Sequence, residues 1–402
     1  MKKNILLWGA VSTLLFSCNK QEIIQEARAL NDIEMTQQEE YSTLATTVVN
    51  VTPSTALNAT FWSNIQTQLQ SNPVDVVFAD GTYNLTSTIN LNNIGHSTNR
   101  LQLKCNTIGS AVITGSIATL MSITNNSKNI LVHRLKFTGP VTGYGLVIQR
   151  SQNITVAYCR FEDMPNVYYG ALGAHYATAD KIIIRQNHFE NIGVGSTAHM
   201  IYGSYGVTRL KVINNTFKDC AGSFVRFRGA NSTHGVVYGN TFTSTGTYLT
   251  GVNPIFVEVP VFNDVNPGDE TFGTSFMITK NKFNYSTSGN QNTRYALVFH
   301  HSGYNPPGRT HLISATDAST LGSGTVAQKR AIMSSKLGLD GTKILFGGNT
   351  NTNVATNVSY RCQGGYGAVA PWTGIVSIGT AVTASGLATT YEEALAFYDD
   401  LY

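Results

Sequence analysis

Arg226 and Arg228 are separated only by Phe227 in the segment Ser223-Phe-Val-Arg-Phe-Arg228. On a β-strand, alternation puts both guanidiniums on one face and Val225 and Phe227 on the other. Two adjacent guanidiniums suit a planar carboxylate or sulfate, held through paired charge-assisted hydrogen bonds. Five other short segments look like strands of the same kind and carry titratable groups: Gly145-Leu-Val-Ile-Gln-Arg150, Gly170-Ala-Leu-Gly-Ala-His-Tyr176, His199-Met-Ile-Tyr-Gly-Ser204, Ile255-Phe-Val-Glu-Val259 and Tyr295-Ala-Leu-Val-Phe-His-His301. Stacked about 4.8 Å apart, they would place Gln149, His175, Tyr202 or His199, the arginine pair, Glu258 and His300 in one patch. On a regular strand only one of His199 and Tyr202 faces outward, whereas a bulge before Gly203 presents both. The same choice arises between His175 and Tyr176, and between His300 and His301. The candidates for catalysis are Tyr202, His199, Arg226, Arg228 and His175. Those for holding a substrate are Gln149, Arg150, Tyr169, Tyr176, Glu258 and His300.

What must position these groups is a repeat. Six segments share an apolar alternation, a short turn and a Phe, at Phe137, Phe161, Phe189, Phe217, Phe242 and Phe283, spaced by 24, 28, 28, 25 and 41 residues. That period belongs to a solenoid. Each unit holds period-2 strands punctuated by Gly, Asn and Ser, and leaves no room for a long helix. One unit cannot bury its apolar face alone, but a stack can. Asn187, Asn215, Asn240 and Asn281 occupy one column two residues before the Phe, where Asn tolerates a left-handed bend and its amides can bond between coils. Cys159 takes that place in an earlier coil and, with Cys220, reads as a buried free thiol; Cys105 and Cys362 complete no zinc spacing. The expected fold is all-β, a single-domain right-handed parallel β-helix over residues 49–402. A helix over 55–71, with Leu57, Phe61, Ile65 and Leu69 on one face, caps it. Coils then run over about 74–360, ending in a C-terminal cap over about 385–402.

The chain has 402 residues, of which 12% are charged, against about a quarter in an average globular protein. Coiled coil and disorder are excluded by the composition. The net charge of +4 gives nucleic-acid binding no support. At the N-terminus Lys2 and Lys3 precede an apolar stretch from Ile5 to Phe16 and the sequence Leu15-Phe16-Ser17-Cys18. This is similar to the signal and lipobox of a bacterial lipoprotein, which implies cleavage after residue 17 and a lipid on Cys18. Residues 18–48 form a solvated, acidic tether. The expected location is the Gram-negative cell envelope, held to the membrane by that lipid alone, and the expected state is a monomer.

Carboxylates decide among chemistries. Outside the tether and the tail Tyr391–Tyr402, 13 acidic residues remain. Glu162 and Glu190 follow their Phe directly, with Lys218 in the same place one coil later, and read as a salt ladder. Glu258 alone lies on a patch strand, so a hydrolytic carboxylate pair is not evident. Asp264, Asp269 and Glu270 sit in the 41-residue insertion as a weak ion-binding candidate. No cofactor is expected, and calcium lacks the convergent oxygens it needs. Arg, Tyr and His together suit β-elimination at a uronic acid, in which Arg neutralises the carboxylate while Tyr or His serves as base and acid.

The coils, the entry Val77-Phe-Ala-Asp-Gly-Thr-Tyr83 and the Phe-Val-Arg-Phe-Arg-Gly strand resemble the β-helix polysaccharide lyases of the alginate lyase and chondroitinase B type over about residues 50–300. That resemblance implies a lyase acting on an acidic polysaccharide. The chondroitinase B type carries a Lys base one coil before its Arg, whereas His199–Ser204 has none. Tyr202 or His199 must then take the role. A β-helix glycoside hydrolase and a non-catalytic glycan-binding lipoprotein are the alternatives.

Overall fold

Apolar alternation interrupted by Asn and Gly makes short strands that turn sharply and stack on the next coil. The computed structural model describes residues 45–229, 232–246, 248, 255–262, 270–286, 295–302, 313–354, 358–363, 374–377 and 384–401. The leader, Cys18, most of the tether, Asp264 and Asp269 lie outside the described residues, as do the side chains of Cys362 and its neighbours. The chain divides between Thr46 and Thr47, and every described strand belongs to the second unit.

Three sheets of ten, nine and ten strands build a parallel β-helix. The first begins at Thr47–Val51 and Val74–Phe78, the second at Gly81–Asn84 and the third at Ile89–Asn92. Among the described residues each coil supplies one strand to each sheet, and only the last pair in the third sheet, Ser359–Gln363 with Gly374–Ser377, is antiparallel. The core is a continuous column of Ile, Val, Leu and Phe. Inside the second sheet Phe137, Phe161, Phe189, Phe217, Phe242 and Phe283 stack with centroids 4.7–5.0 Å apart.

The Asn column is a buried amide ladder. Asn187 Nδ2 donates to Asn215 Oδ1, Asn215 to Asn240 and Asn240 to Asn281, each at 3.0 Å. The same oxygens accept the backbone N–H one coil earlier. The Cys159 N–H donates to Asn187 Oδ1 at 2.8 Å, so the thiol replaces one rung. Cys105, Cys159 and Cys220 are free and buried. The charged column is a ladder too, with Lys136 and Arg160 on Glu162, and His188 and Lys218 on Glu190.

The capping helix covers Ala59–Leu69 and starts at Asn58, whose side chain accepts from the Phe61 N–H. Its buried face is Trp62, Ile65 and Leu69, with Phe61 only partly covered. The C-terminal segment differs from the cap expected of it. Helix Tyr391–Ala396 and the turn Asp399–Leu401 lie on the outer face of the first sheet. There they cover Ile213, Val236, Tyr238 and Met277, apolar side chains on a face otherwise exposed. Lys211 reaches out from that face to Asp399 at 2.7 Å. Helices Ala315–Ser323 and Val326–Leu337 interrupt the coils before the strand Ile344–Gly347.

Candidate active site

The third sheet positions every candidate. Its register aligns Gly173, Tyr202, Arg226 and Glu258 in one row across four coils. Gln149, His175 and Ser204 form the next row. At the start of the strands the alternation is broken. Ala171 and Leu172, Met200 and Ile201, Phe224 and Val225, and Phe256 and Val257 are consecutive pairs that all enter the core. This bend puts His199 and Ser223, as well as Tyr202 and Arg226, on the outer face. His199 and Tyr202 therefore do not compete for it, and their rings lie 5.0 Å apart.

Arg226 is the centre of the cluster. Its Nη1 lies 2.6 Å from His199 Nε2. Its Nε faces Glu258 Oε2 at 3.5 Å, an ion pair without a hydrogen bond. The guanidinium carbon lies 5.4 Å from the Tyr202 ring centre and 5.1 Å from that of Phe262. Glu258 also accepts from the Ser223 hydroxyl and pairs with His300 Nδ1 at 2.9 Å. Burial alone would raise the Glu258 carboxyl, but Arg226 and His300 outweigh it and hold the group well below the usual carboxylate range.

Arg228 makes a second cluster. Its Nε and Nη2 grip Glu270 Oε1 at 2.9 and 2.7 Å, and its Nη1 donates to the Tyr205 hydroxyl at 2.7 Å. Burial would lower its pKa, yet Glu270 and the Tyr202 phenol offset this and raise it. Both arginines thus face carboxylates. The partners are Glu258 at the same register as Arg226 and Glu270 in the insertion. Glu270 accepts from Arg228 and from the Phe262 N–H.

Tyr202 sits between two neutral imidazoles. His175 is 5.2 Å away by ring centres, and burial pushes its pKa down to about 3. His199 is lowered well below the ordinary range, by burial first and Arg226 second. His175 Nδ1 meets the Ser204 hydroxyl at 2.6 Å. Although the Ser223 backbone bears weakly on the His199 ring, Nδ1 of that ring makes no hydrogen bond of normal geometry. Four buried polar atoms in this cluster have no hydrogen-bond partner: His175 Nε2, His199 Nδ1, Arg226 Nε and His300 Nε2. Buried groups are normally paired, so a concentration of orphans singles this cluster out as the candidate site.

Aromatic side chains flank this floor. Tyr144 stacks on Tyr169 at 5.6 Å, and Tyr169 is 48% exposed. On the opposite edge Tyr176 stacks on Tyr205 at 5.6 Å, beneath Arg150. Gln149 is half-buried beside His175. His300, rather than His301, meets Glu258. Sequence reasoning did not single out Tyr144, Tyr205, Ser223 or Phe262. Tyr205 was legible as the residue 29 positions after Tyr176, and Ser223 as the register partner of His199. Among the described residues no group of His, Cys, Asp and Glu could hold a metal ion, and no helix is long and apolar enough to cross a membrane.

Comparison with known proteins agrees on the fold. The family described as "right handed beta helix region" matches residues 144–306, which span the site strands. The chain is thus a right-handed parallel β-helix. No curated protein matches the sequence. A solved structure of a mannuronic acid specific polysaccharide family 6 lyase enzyme from human gut microbiota is similar at 15% identity and a TM-score of 0.27, covering 65% of this chain and 82% of that one. At that distance the chemistry has to be argued from the side chains alone.

Proposed function

We propose that this protein is a polysaccharide lyase that cleaves a uronate-containing chain by β-elimination. The observation that carries the reading is the row Tyr202–Arg226, flanked by His199 and Arg228, in a cluster with four buried polar atoms that make no hydrogen bond. Arg226 neutralises the uronate carboxylate and stabilises the enolate-like charge that develops as the C5 proton leaves. Tyr202 is the base. His199 is poorly placed for that role, because Arg226 already donates to its Nε2. The Arg228 guanidinium interacts with the phenol and places a second cation beside the oxygen that takes the proton. As the C5–H bond breaks, its electrons form the C4–C5 double bond, the C4–O4 bond breaks, and O4 takes a proton returned by the phenol. Arg226 and Tyr202 carry these steps between them.

Glu258 argues against a glycoside hydrolase. A general acid must be protonated at working pH, whereas Glu258 is held ionised by Arg226 and His300. The lipobox reading of Cys18 and the acidic tether support an envelope lipoprotein, and that location belongs to the proposal.

The test is digestion of alginate, pectate and glycosaminoglycans with ultraviolet and mass detection. The expected product is an unsaturated uronide, lost in Arg226→Ala and Tyr202→Phe. Saturated reducing ends, or binding without product from every polymer, would overturn the assignment.

A further inference from the structure

The turns after the first five strands of the third sheet each place a non-glycine residue in the left-handed backbone region at the same position. Successive coils place Asn93, Asn125, Arg150, Tyr176 and Tyr205 there, with φ of 56°, 53°, 49°, 75° and 59°. Interstrand bonds fix the alignment: the Asn93 N–H donates to Thr124 O, Asn125 to Gln149 O, Arg150 to His175 O and Tyr176 to Ser204 O. Asn adopts this conformation more readily than Arg or Tyr. The column departs from Asn only as it reaches the coils that carry the site.

The three replacements form one rigid object. The Arg150 guanidinium carbon sits 4.2 Å from the Tyr176 ring centre, Tyr176 stacks on Tyr205 with planes 17° apart, and Arg228 covers the far face of the stack 4.7 Å from the Tyr205 centre. The ring faces are occupied, and Arg228 is bonded to both Tyr205 and Glu270, so what the stack offers outward is its Arg150 end and the edge of Tyr176. Arg150 is exposed, and its guanidinium rests on a ring rather than on a carboxylate. Its strand lies two coils before that of Tyr202, about 10 Å along the solenoid.

We propose that Arg150, Tyr176 and Tyr205 form a distal glycan subsite, in which Arg150 holds the carboxylate of a uronate about two sugars from the one that reacts. The inference rests on the lyase reading for its direction. The coil spacing is comparable to the advance of one pyranose in an extended chain, so an oligosaccharide laid along the rail meets one rung per sugar. Stacking keeps the guanidinium in place before binding, which reduces the ordering the ligand must impose.

Oligomannuronates and oligogalacturonates of defined length test this, with Arg150→Ala and Tyr176→Asn. Asn is the residue the same column uses at Asn125, so Tyr176→Asn is expected to melt no lower than the parent while losing the rail. For long oligomers both variants should raise KM about tenfold with kcat retained. On the shortest oligomer cleaved they should match the parent. Equal losses at every length, or none, would overturn the subsite.

Calorimetry on Tyr202→Phe with the long oligomers separates this idea from the reaction itself. Arg150-dependent binding together with no unsaturated product from the parent keeps the rail and removes the lyase. Unsaturated product with binding indifferent to Arg150 does the reverse. A neutral oligomer of equal length should bind the parent and Arg150→Ala alike, and an Arg150 effect on it would overturn the carboxylate assignment.

Discussion

Arg226 Nη1 lies 2.6 Å from His199 Nε2, and since a guanidinium can only donate, the imidazole accepts. This fixes His199 as the neutral tautomer with its proton on Nδ1, and makes it a positioning residue for the guanidinium. Gln can supply an acceptor in the same direction and Leu cannot. His199→Gln should therefore retain much of kcat, whereas His199→Leu should lose on the order of 10²-fold through misplacement of Arg226. The acidic limb of the pH–rate profile should be the same in parent and His199→Gln. A shift of that limb would make His199 the base.

Three buried histidines make stability depend on pH in a defined window. His175 and His133 are pushed down to about 3, His175 by burial and His133 by burial and four nearby cations, and His199 is also lowered. Above about pH 6.5 both folded and unfolded chains carry them neutral. Below it the unfolded chain binds protons that the folded chain refuses, so stability falls as pH falls towards 3, by at most about 1.4 kcal/mol per pH unit for each histidine. Depressed carboxyls such as Glu258 add their own loss only below their ordinary value of 4.5. Melting curves between pH 7 and 5 should thus isolate the histidines, and His133→Gln, far from the site, should flatten the slope. An unchanged slope would mean that His133 is protonated in the folded chain.

Arg228 and Glu270 form a buried bidentate pair across the insertion. Removing one partner leaves a desolvated charge, so Glu270→Gln should destabilise the fold by about 3–5 kcal/mol. Adding Arg228→Met to Glu270→Gln should recover part of that loss in denaturant titrations, without restoring lyase activity. If the double variant is no more stable than the single, the desolvated charge is not the cause.

The solenoid was readable because its core repeats: a Phe once per coil and, in four coils, an Asn two residues before it are choices made by stacking alone. Partners supplied by long excursions were not. Glu270 returns to Arg228 across 42 residues, and nothing local to either residue announces the pair. The bend that brings both His199 and Tyr202 outward was half legible: a bulge before Gly203 is one of the two readings of that strand, whereas the irregularity lies at Met200 and Ile201, which both point inward. Helices Ala315–Ser323 and Val326–Leu337 did leave a signal, the capping boxes Ser314/Asp317 and Thr325/Gln328. The C-terminal helix was legible as a helix. Its seat on Ile213, Val236 and Met277 depended on which outer face was left apolar.

Asn215 tests the ladder directly. It is 1% exposed and engages Asn187, Asn240 and the Ile184 carbonyl. Asn215→Ala strands the Asn187 N–H and the Ile184 carbonyl without water, at about 1–3 kcal/mol for each buried group. The melting temperature should drop accordingly, while the site one sheet away keeps its kcat at temperatures where the variant stays folded. A loss below about 1 kcal/mol would show that water or a neighbouring amide fills the gap.

Gly173 offers the converse, a change in the site that spares the fold. A Cβ there would lie 2.4 Å from His175 Nε2 and 2.7 Å from the Tyr144 ring, with no backbone among its nearest contacts. Gly173→Ala must therefore displace side chains of the candidate floor, and overpacking of this kind costs about 1–3 kcal/mol. Gly222 differs: a Cβ would meet the Ala198 and Ser196 carbonyls at 2.2 and 2.7 Å, which forces the coil itself to move. The prediction is a separation of readouts. Gly173→Ala should melt within a few degrees of the parent yet lose most of its turnover, whereas Gly222→Ala should lose stability first. If Gly173→Ala turns over normally, the space beside His175 Nε2 is not where the substrate goes.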